Sequence, residues 1–171
     1  IIVGGGFIGL EVAEEMALSG IEVHVFEQLE RLLPFLNEVF SQTVRDALAE
    51  HGVTVHLGEK IEEILTENGN ACGVKTAGGQ SVPADFILMS IGVVPNTELA
   101  LDAGLQLGIK GAIAVNDEMQ TSDPFIWACG DCVQMKNRIT GKPVYIPLGT
   151  TANKQGRIAG ENVAGGHETF K

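Results

Sequence analysis

Residues 4–9 read Gly4-Gly5-Gly6-Phe7-Ile8-Gly9, a G-x-G-x-x-G run directly after the β-branched stretch Ile1-Ile2-Val3. A helix-like segment follows at once, and in that place the spaced glycines have separate physical tasks. Gly4 lets the chain turn sharply off a strand. Gly6 leaves bare backbone for a pyrophosphate to approach, and Gly9 lets the helix lie close on a sheet. The free N–H groups of the first helical turn then face the phosphates, helped by about half a positive charge at the helix end. The run from Gly4 through Gly5, Gly6, Phe7 and Ile8 to Gly9 is therefore the candidate cradle for a dinucleotide.

A carboxylate completes the pattern. Glu27 closes the next strand-like stretch, 27 − 4 = 23 residues after Gly4, near the spacing of about 20 expected of an acid that binds ribose hydroxyls. It would repel a 2′-phosphate by about 4 kcal/mol per charge pair at 4 Å and an effective dielectric near 20. NAD(H) is thus favoured over NADP(H). Arg31 complicates this preference, because a nearby guanidinium can accept the extra phosphate. The plain alternatives are a solvated strand end for Glu27 and a surface cation for Arg31. Methyltransferases using S-adenosylmethionine share the architecture, but no acid leads into this glycine loop.

The elements that must hold these residues follow from periodicity. Ile1–Val3 reads as a buried strand, and Ile8, Val12, Met16 and Ala17 recur at helical spacing until Ser19-Gly20. Residues 21–27 return to strand, which makes a right-handed βαβ unit. A second helix is expected from about Asn37, with Phe40, Val44, Ala47, Leu48 and His51 on one face and Gly52 as terminator, then a third parallel strand at 53–57. Residues 60–66, 71–76 and 80–82 read as an antiparallel meander turning at Asn68-Gly69. Phe86–Ile91 is expected as a further buried strand of the parallel sheet. Beyond Gly92–Asn96 the pattern loosens: 112–115 and 125–129 read as strands, and 153–163 as a closing helix with Ile158, Ala159, Asn162 and Val163 partly on one face. A boundary is placed near Pro95.

Composition limits the partners. The 171 residues carry 22 acids against 11 bases, a formal charge of -11. So negative a chain repels nucleic-acid backbones and anionic lipid. At the glycine loop the local field opposes this global one. No apolar run approaches the roughly 20 residues of a membrane helix, and no export signal is visible. Three Cys do not make a disulfide scaffold, so a cytoplasmic setting is expected. The four His are scattered without ligand spacing, and no metal site is expected. Cys129-Gly130-Asp131-Cys132 is a C-x-x-C whose plain reading is two small apolar residues flanking Gly-Asp; the sharper one is a dithiol redox pair. Cys72 reads as meander core and Trp127 as core.

Four stretches together resemble the FAD-dependent pyridine nucleotide–disulfide oxidoreductases, in particular the NADH oxidase and coenzyme A-disulfide reductase branch. They are IIVGGGFIGLE (1–11), ILMSIGVVPN (87–96), TSDPFIWACGD (121–131) and PLGTTANKQGR (147–157), in family order along the chain. The resemblance implies an α/β fold: a Rossmann-like three-layer NAD(H)-binding domain at 1–95, with a parallel sheet and an antiparallel meander, then an incomplete FAD-binding domain at 96–171. It implies Ile8 and Glu11 beside the nicotinamide and Gly92 closing on bound NADH. A first-turn acid that complements the helix dipole is the alternative for Glu11. It further implies Asp131 on the ribityl chain of FAD, with Gly149 and Thr150 presenting helix-start amides to the flavin's pyrimidine edge. The alternative for Asp131 is an ordinary helix N-cap.

The implied activity passes hydride from NADH to FAD and on to oxygen, peroxide or a small disulfide such as coenzyme A disulfide. The implied partners are the remainder of the FAD domain, a dimerisation domain and a second copy of the parent chain. Departures are the absence here of a first FAD-binding glycine loop with its redox Cys, and Phe35 standing out of register with an aromatic often met after the acid. The chain begins on Ile1 without Met, so a piece of a larger enzyme is expected, binding NADH weakly, holding no FAD and inactive alone. An NAD(H)-sensing module without redox work is the rival function.

Overall fold

The computed structural model describes residues 1–170. They form two compact units, Ile1–Gly92 and a second beginning at Val93.

In the first unit, β1 (Ile2–Val3), α1 (Phe7–Leu18) and β2 (His24–Glu27) make the βαβ unit. Next come α2 (Glu38–Glu50), β3 (Thr54–Leu57), and the meander β4 (Ile61–Glu67), β5 (Asn70–Thr76) and β6 (Ser81–Pro83). β7 (Leu88–Met89) closes the unit. The parallel sheet runs β3-β2-β1-β7, and β4-β5-β6 is a separate antiparallel sheet. Asn68 and Gly69 turn the β4–β5 hairpin with φ of 51° and 81°, the left-handed pair its tight turn needs.

Strand alternation sorts the side chains. Val23 and Val25 point with Ile2 and Val53 into one core with Leu10 and Ala13 of α1 and Leu48 of α2. Glu27 follows that same face. The register puts His24, Phe26 and His56 on the other face, where Phe26 and His56 stack 4.2 Å apart.

Three expectations are corrected here. Phe86–Ile91 yields only the two-residue β7, bonded to β1 alone, with Phe86 and Ile91 exposed; a strand paired on one side buries less than a central one. α2 buries Ser41 and Leu48, with Val44 half-buried, while Phe40, Ala47 and His51 are exposed; the Ser41 hydroxyl donates to the Leu32 carbonyl, 2.7 Å away. Cys72 is exposed and is not meander core.

The second unit contains α3 (Glu98–Asp102), β8 (Ile113–Ala114), β9 (Val133–Lys136), β10 (Pro143–Val144) and α4 (Gly149–Val163). β8 and β9 are parallel, and β10 is antiparallel to β9. Ala100, Leu105, Ile113 and Val133 form its core. Residues 125–129 make a single bridge, Gln120 to Trp127, rather than the expected strand. The Asp123 carboxylate takes the Phe125 amide at 2.8 Å and the Thr121 hydroxyl takes the Asp123 amide at 3.1 Å, local bonds that compete with a ladder. β9 and β10 were not expected. α4 starts four residues earlier than its periodicity suggests and buries Gln155, Ala159 and Asn162, with Val163 exposed. Polar side chains bonded to backbone hold that face: Asn162 donates to the Glu118 and Glu168 carbonyls at 2.9 and 2.8 Å.

Candidate functional site

β1 delivers the chain to Gly4, whose amide donates to the Phe26 carbonyl at 2.8 Å. Gly4 has φ of 112°, and a methyl there would meet the Ser90 carbonyl, whose carbon stands 2.8 Å away. Only glycine suits both demands. The Ser90 hydroxyl donates to the Val3 and Gly4 carbonyls at 3.0 and 3.1 Å, tying the loop to the end of β7. Ser90 also lies 2.6 Å from where a Cβ on Gly9 would sit, and such a Cβ would run into the Gly4 carbonyl. This is the close approach of helix and loop that Gly9 permits.

Gly5 faces inward. Its amide donates to Glu27 Oε2 at 2.7 Å, and its carbonyl accepts from the Leu33 amide at 3.0 Å. Glu27 Oε1 accepts the Leu29 amide at 2.9 Å. At 8% exposure this acid is not a solvated strand end. Two backbone donors aim it at the loop, and each oxygen keeps a further lone pair for a hydroxyl.

Gly6 is the N-cap of α1 and faces open space, with nothing within 4 Å of a Cβ built on it. α1 carries no side-chain cap and no acid in its first turn, so its leading amides are left to a ligand. The loop therefore fits a pyrophosphate on steric and electrostatic grounds together.

Phe7 and Ile8 lie exposed on that first turn, and Phe7 packs on Phe35 with ring centroids 4.9 Å apart. Glu11 is exposed but falls beyond the first turn, which removes the dipole-complementing alternative. Arg31 donates to the Pro34 carbonyl at 2.7 Å. Gly92, exposed with φ of 106°, ends the first unit. The loop thus gathers Gly4, Gly5, Gly6, Phe7, Ile8, Gly9 and Glu27. Ser90 and Leu33 are additions that motif reading missed; the single polar residue inside the apolar run 86–91 was the available signal for Ser90.

In the second unit Asp131 is exposed, and its backbone carbonyl accepts the Tyr145 hydroxyl at 2.8 Å. A turn and β9 follow it, not a helix, so it is no N-cap. Gly149 and Thr150 open α4, exposed and without a capping side chain at Leu148. An exposed carboxylate and uncapped helix amides fit the hydroxylated chain and electron-rich edge of a flavin. The neighbouring Cys132 does not fit a reactive dithiol. Burial pushes its thiol above the usual range, and Cys129 and Asp131 reinforce this.

His24 Nδ1 and His56 Nε2 meet at 3.0 Å, a contact between strands invisible to one-dimensional spacing. Among the described residues no group of three or more His, Cys, Asp or Glu is arranged to hold a metal. Nor is any helix among them long and apolar enough to cross a membrane.

With this geometry in hand, the model of the pyridine nucleotide-disulphide oxidoreductases matches residues 1–156. The chain belongs to that family. It is 41% identical over 171 residues to an NADH oxidase of Methanocaldococcus jannaschii, covering 99% of this chain and 37% of the relative. A FAD-dependent pyridine nucleotide-disulphide oxidoreductase from Desulfovibrio vulgaris superposes with a TM-score of 0.94 at 47% identity, over 99% of this chain and 43% of that one. A NAD-dependent persulfide reductase from A. fulgidus gives a TM-score of 0.93 at 41% identity, over 99% and 31%. The chain therefore spans well under half the length of these relatives. The mixed α/β fold is that of the family, whose cofactors are NAD(H) and FAD.

Proposed function

We propose that residues 1–95 bind NAD(H) at the glycine loop and that residues 96–171 are the later part of an FAD-binding domain. The observation carrying this reading is the buried Glu27 carboxylate held on the Gly5 amide. It joins the pyrophosphate loop and the ribose acid into one preformed unit. The unphosphorylated coenzyme is preferred, because a 2′-phosphate would approach a carboxylate already committed to two amides.

The exposed turn residues Phe7, Ile8 and Glu11 with Gly92 would line the nicotinamide half. Asp131, Gly149 and Thr150 would hold the flavin. FAD, when bound, supplies two-electron acceptance from NADH. The whole protein passes hydride from NADH to FAD and onward to oxygen, peroxide or a small disulfide such as coenzyme A disulfide. It works as a homodimer with the rest of its flavin domain and a dimerisation domain, away from nucleic acid and membrane.

Calorimetric titration of the 171-residue chain tests the first step. NADH is expected to bind more tightly than NADPH, and Glu27→Ala to erase the difference. No heat with NADH, or equal affinity for both coenzymes in the unsubstituted chain, would reject the assignment. The same material is expected to be colourless and to leave NADH unoxidised.

A further inference from the structure

Gln155 is completely buried on α4, yet its Nε2 finds no partner among the described residues, while its Oε1 accepts the Gly130 amide at 2.7 Å. A buried donor left unpaired disfavours folding, and a nonpolar side chain of similar size would avoid that cost. The retained amide therefore has its use at the other end, on Gly130. That residue precedes Asp131, and a Cβ built on it would stand 3.8 Å from the Ala152 methyl. Ala152 and Gln155 lie one turn apart on α4, and Ala152 donates its amide to the Leu148 carbonyl at the helix start. One hydrogen bond thus sets the Gly130-Asp131 turn against the first turns of α4, with the Ala152 methyl beside it. From the other side the Tyr145 hydroxyl holds the Asp131 carbonyl.

We propose that Gln155 is a positioning residue. It locks the Asp131 turn to the opening of α4 so that the Asp131 carboxylate and the amides of Gly149 and Thr150 form one rigid flavin-holding site before the flavin arrives. This rests on the flavin reading of those three residues. Gln155 itself acts through Gly130.

The test uses the flavin-loaded full-length protein and its flavin-free form, with FAD affinity read by flavin fluorescence. Gln155→Met is expected to weaken FAD binding by about tenfold or more, the scale of one buried hydrogen bond, without changing NADH affinity. Gln155→Glu, read at a pH low enough to keep the buried acid protonated so that it retains a neutral acceptor oxygen for Gly130, is expected to recover most of the loss. Combined with Asp131→Asn, the Gln155→Met loss is expected to shrink, since the two act on one contact. Equal losses in the Met and Glu variants, or full additivity with Asp131→Asn, would overturn the role. Amide exchange in the unsubstituted flavin-free protein needs no variant to fold: the Gly130 N–H is expected to be protected, and exchange as fast as in open loops overturns the proposal. If Asp131→Asn leaves FAD affinity unchanged, the flavin reading fails instead; if only Asp131→Asn weakens it, that reading stands and the Gln155 role falls.

Discussion

Glu27 Oε2 accepts the Gly5 amide at 2.7 Å, joining two residues 22 positions apart in the chain. The bond makes the acid part of the loop's structure as well as a ligand group. Replacing Glu27 with Ala therefore strands the Gly5 and Leu29 amides and removes the ribose acceptor together. NADH affinity is expected to fall about tenfold to a hundredfold, the range for hydrogen bonds to a charged group. Calorimetry on the purified variant reads this directly.

Gly4 and Gly6 are expected to separate structure from binding. Gly4→Ala forces a methyl at positive φ against the Ser90 carbonyl, and should destabilise the first unit by about 2 kcal/mol or more. Gly6 has φ of −86° and open space around it, so Gly6→Val should leave stability within about 1 kcal/mol while weakening NADH binding. Urea denaturation paired with NADH titration distinguishes the two. Equal stability losses would contradict the division.

The histidine pair gives a pH dependence of definite sign. Burial first, and the neighbouring His24 second, hold the His56 imidazole below the ordinary histidine range, with Glu59 opposing. The folded state then binds a proton less readily than the unfolded chain. Stability is full above about pH 6.5 and declines as pH falls toward the depressed folded value. Melting temperature should drop between pH 7 and pH 5, and His56→Gln should flatten that drop. Parallel curves for the two proteins would remove His56 from the account.

Thiol reactivity should follow exposure and not the C-x-x-C motif. Cys72 is exposed, whereas burial holds the Cys132 thiol above its usual range. At pH 7, iodoacetamide should modify Cys72 first and Cys132 at least about tenfold more slowly. Mass spectrometry of a labelling time course gives both rates. Rapid labelling of Cys129 and Cys132 would instead favour the redox pair.

Local regularity made the first unit readable. The βαβ glycine loop, the Asn68-Gly69 hairpin and the α2 cap at Asn37, whose side chain takes the Val39 amide at 3.1 Å, depend on residues within a few positions of each other. Their conformations follow from backbone sterics and short hydrogen bonds. The second unit resisted although its strands, two to four residues long, are no shorter than β1, β2 and β3; β8, β9 and β10 follow one another without the strand–helix alternation that frames the first unit. Its helix α4 buries Gln155 and Asn162, polar residues that carry no apolar period.

The sequence by itself determined the family, the parallel βαβ core and the acid that follows the glycine loop, because spacing along the chain is enough to express them. Only the tertiary structure decided that Glu27 is buried on the Gly5 amide, that Ser90 closes the loop, and that His24 meets His56. It likewise placed Gln155 beneath Gly130. Each of these joins residues 22 to 87 positions apart, and such contacts exist only when strand register and helix packing bring distant backbone into hydrogen-bonding range.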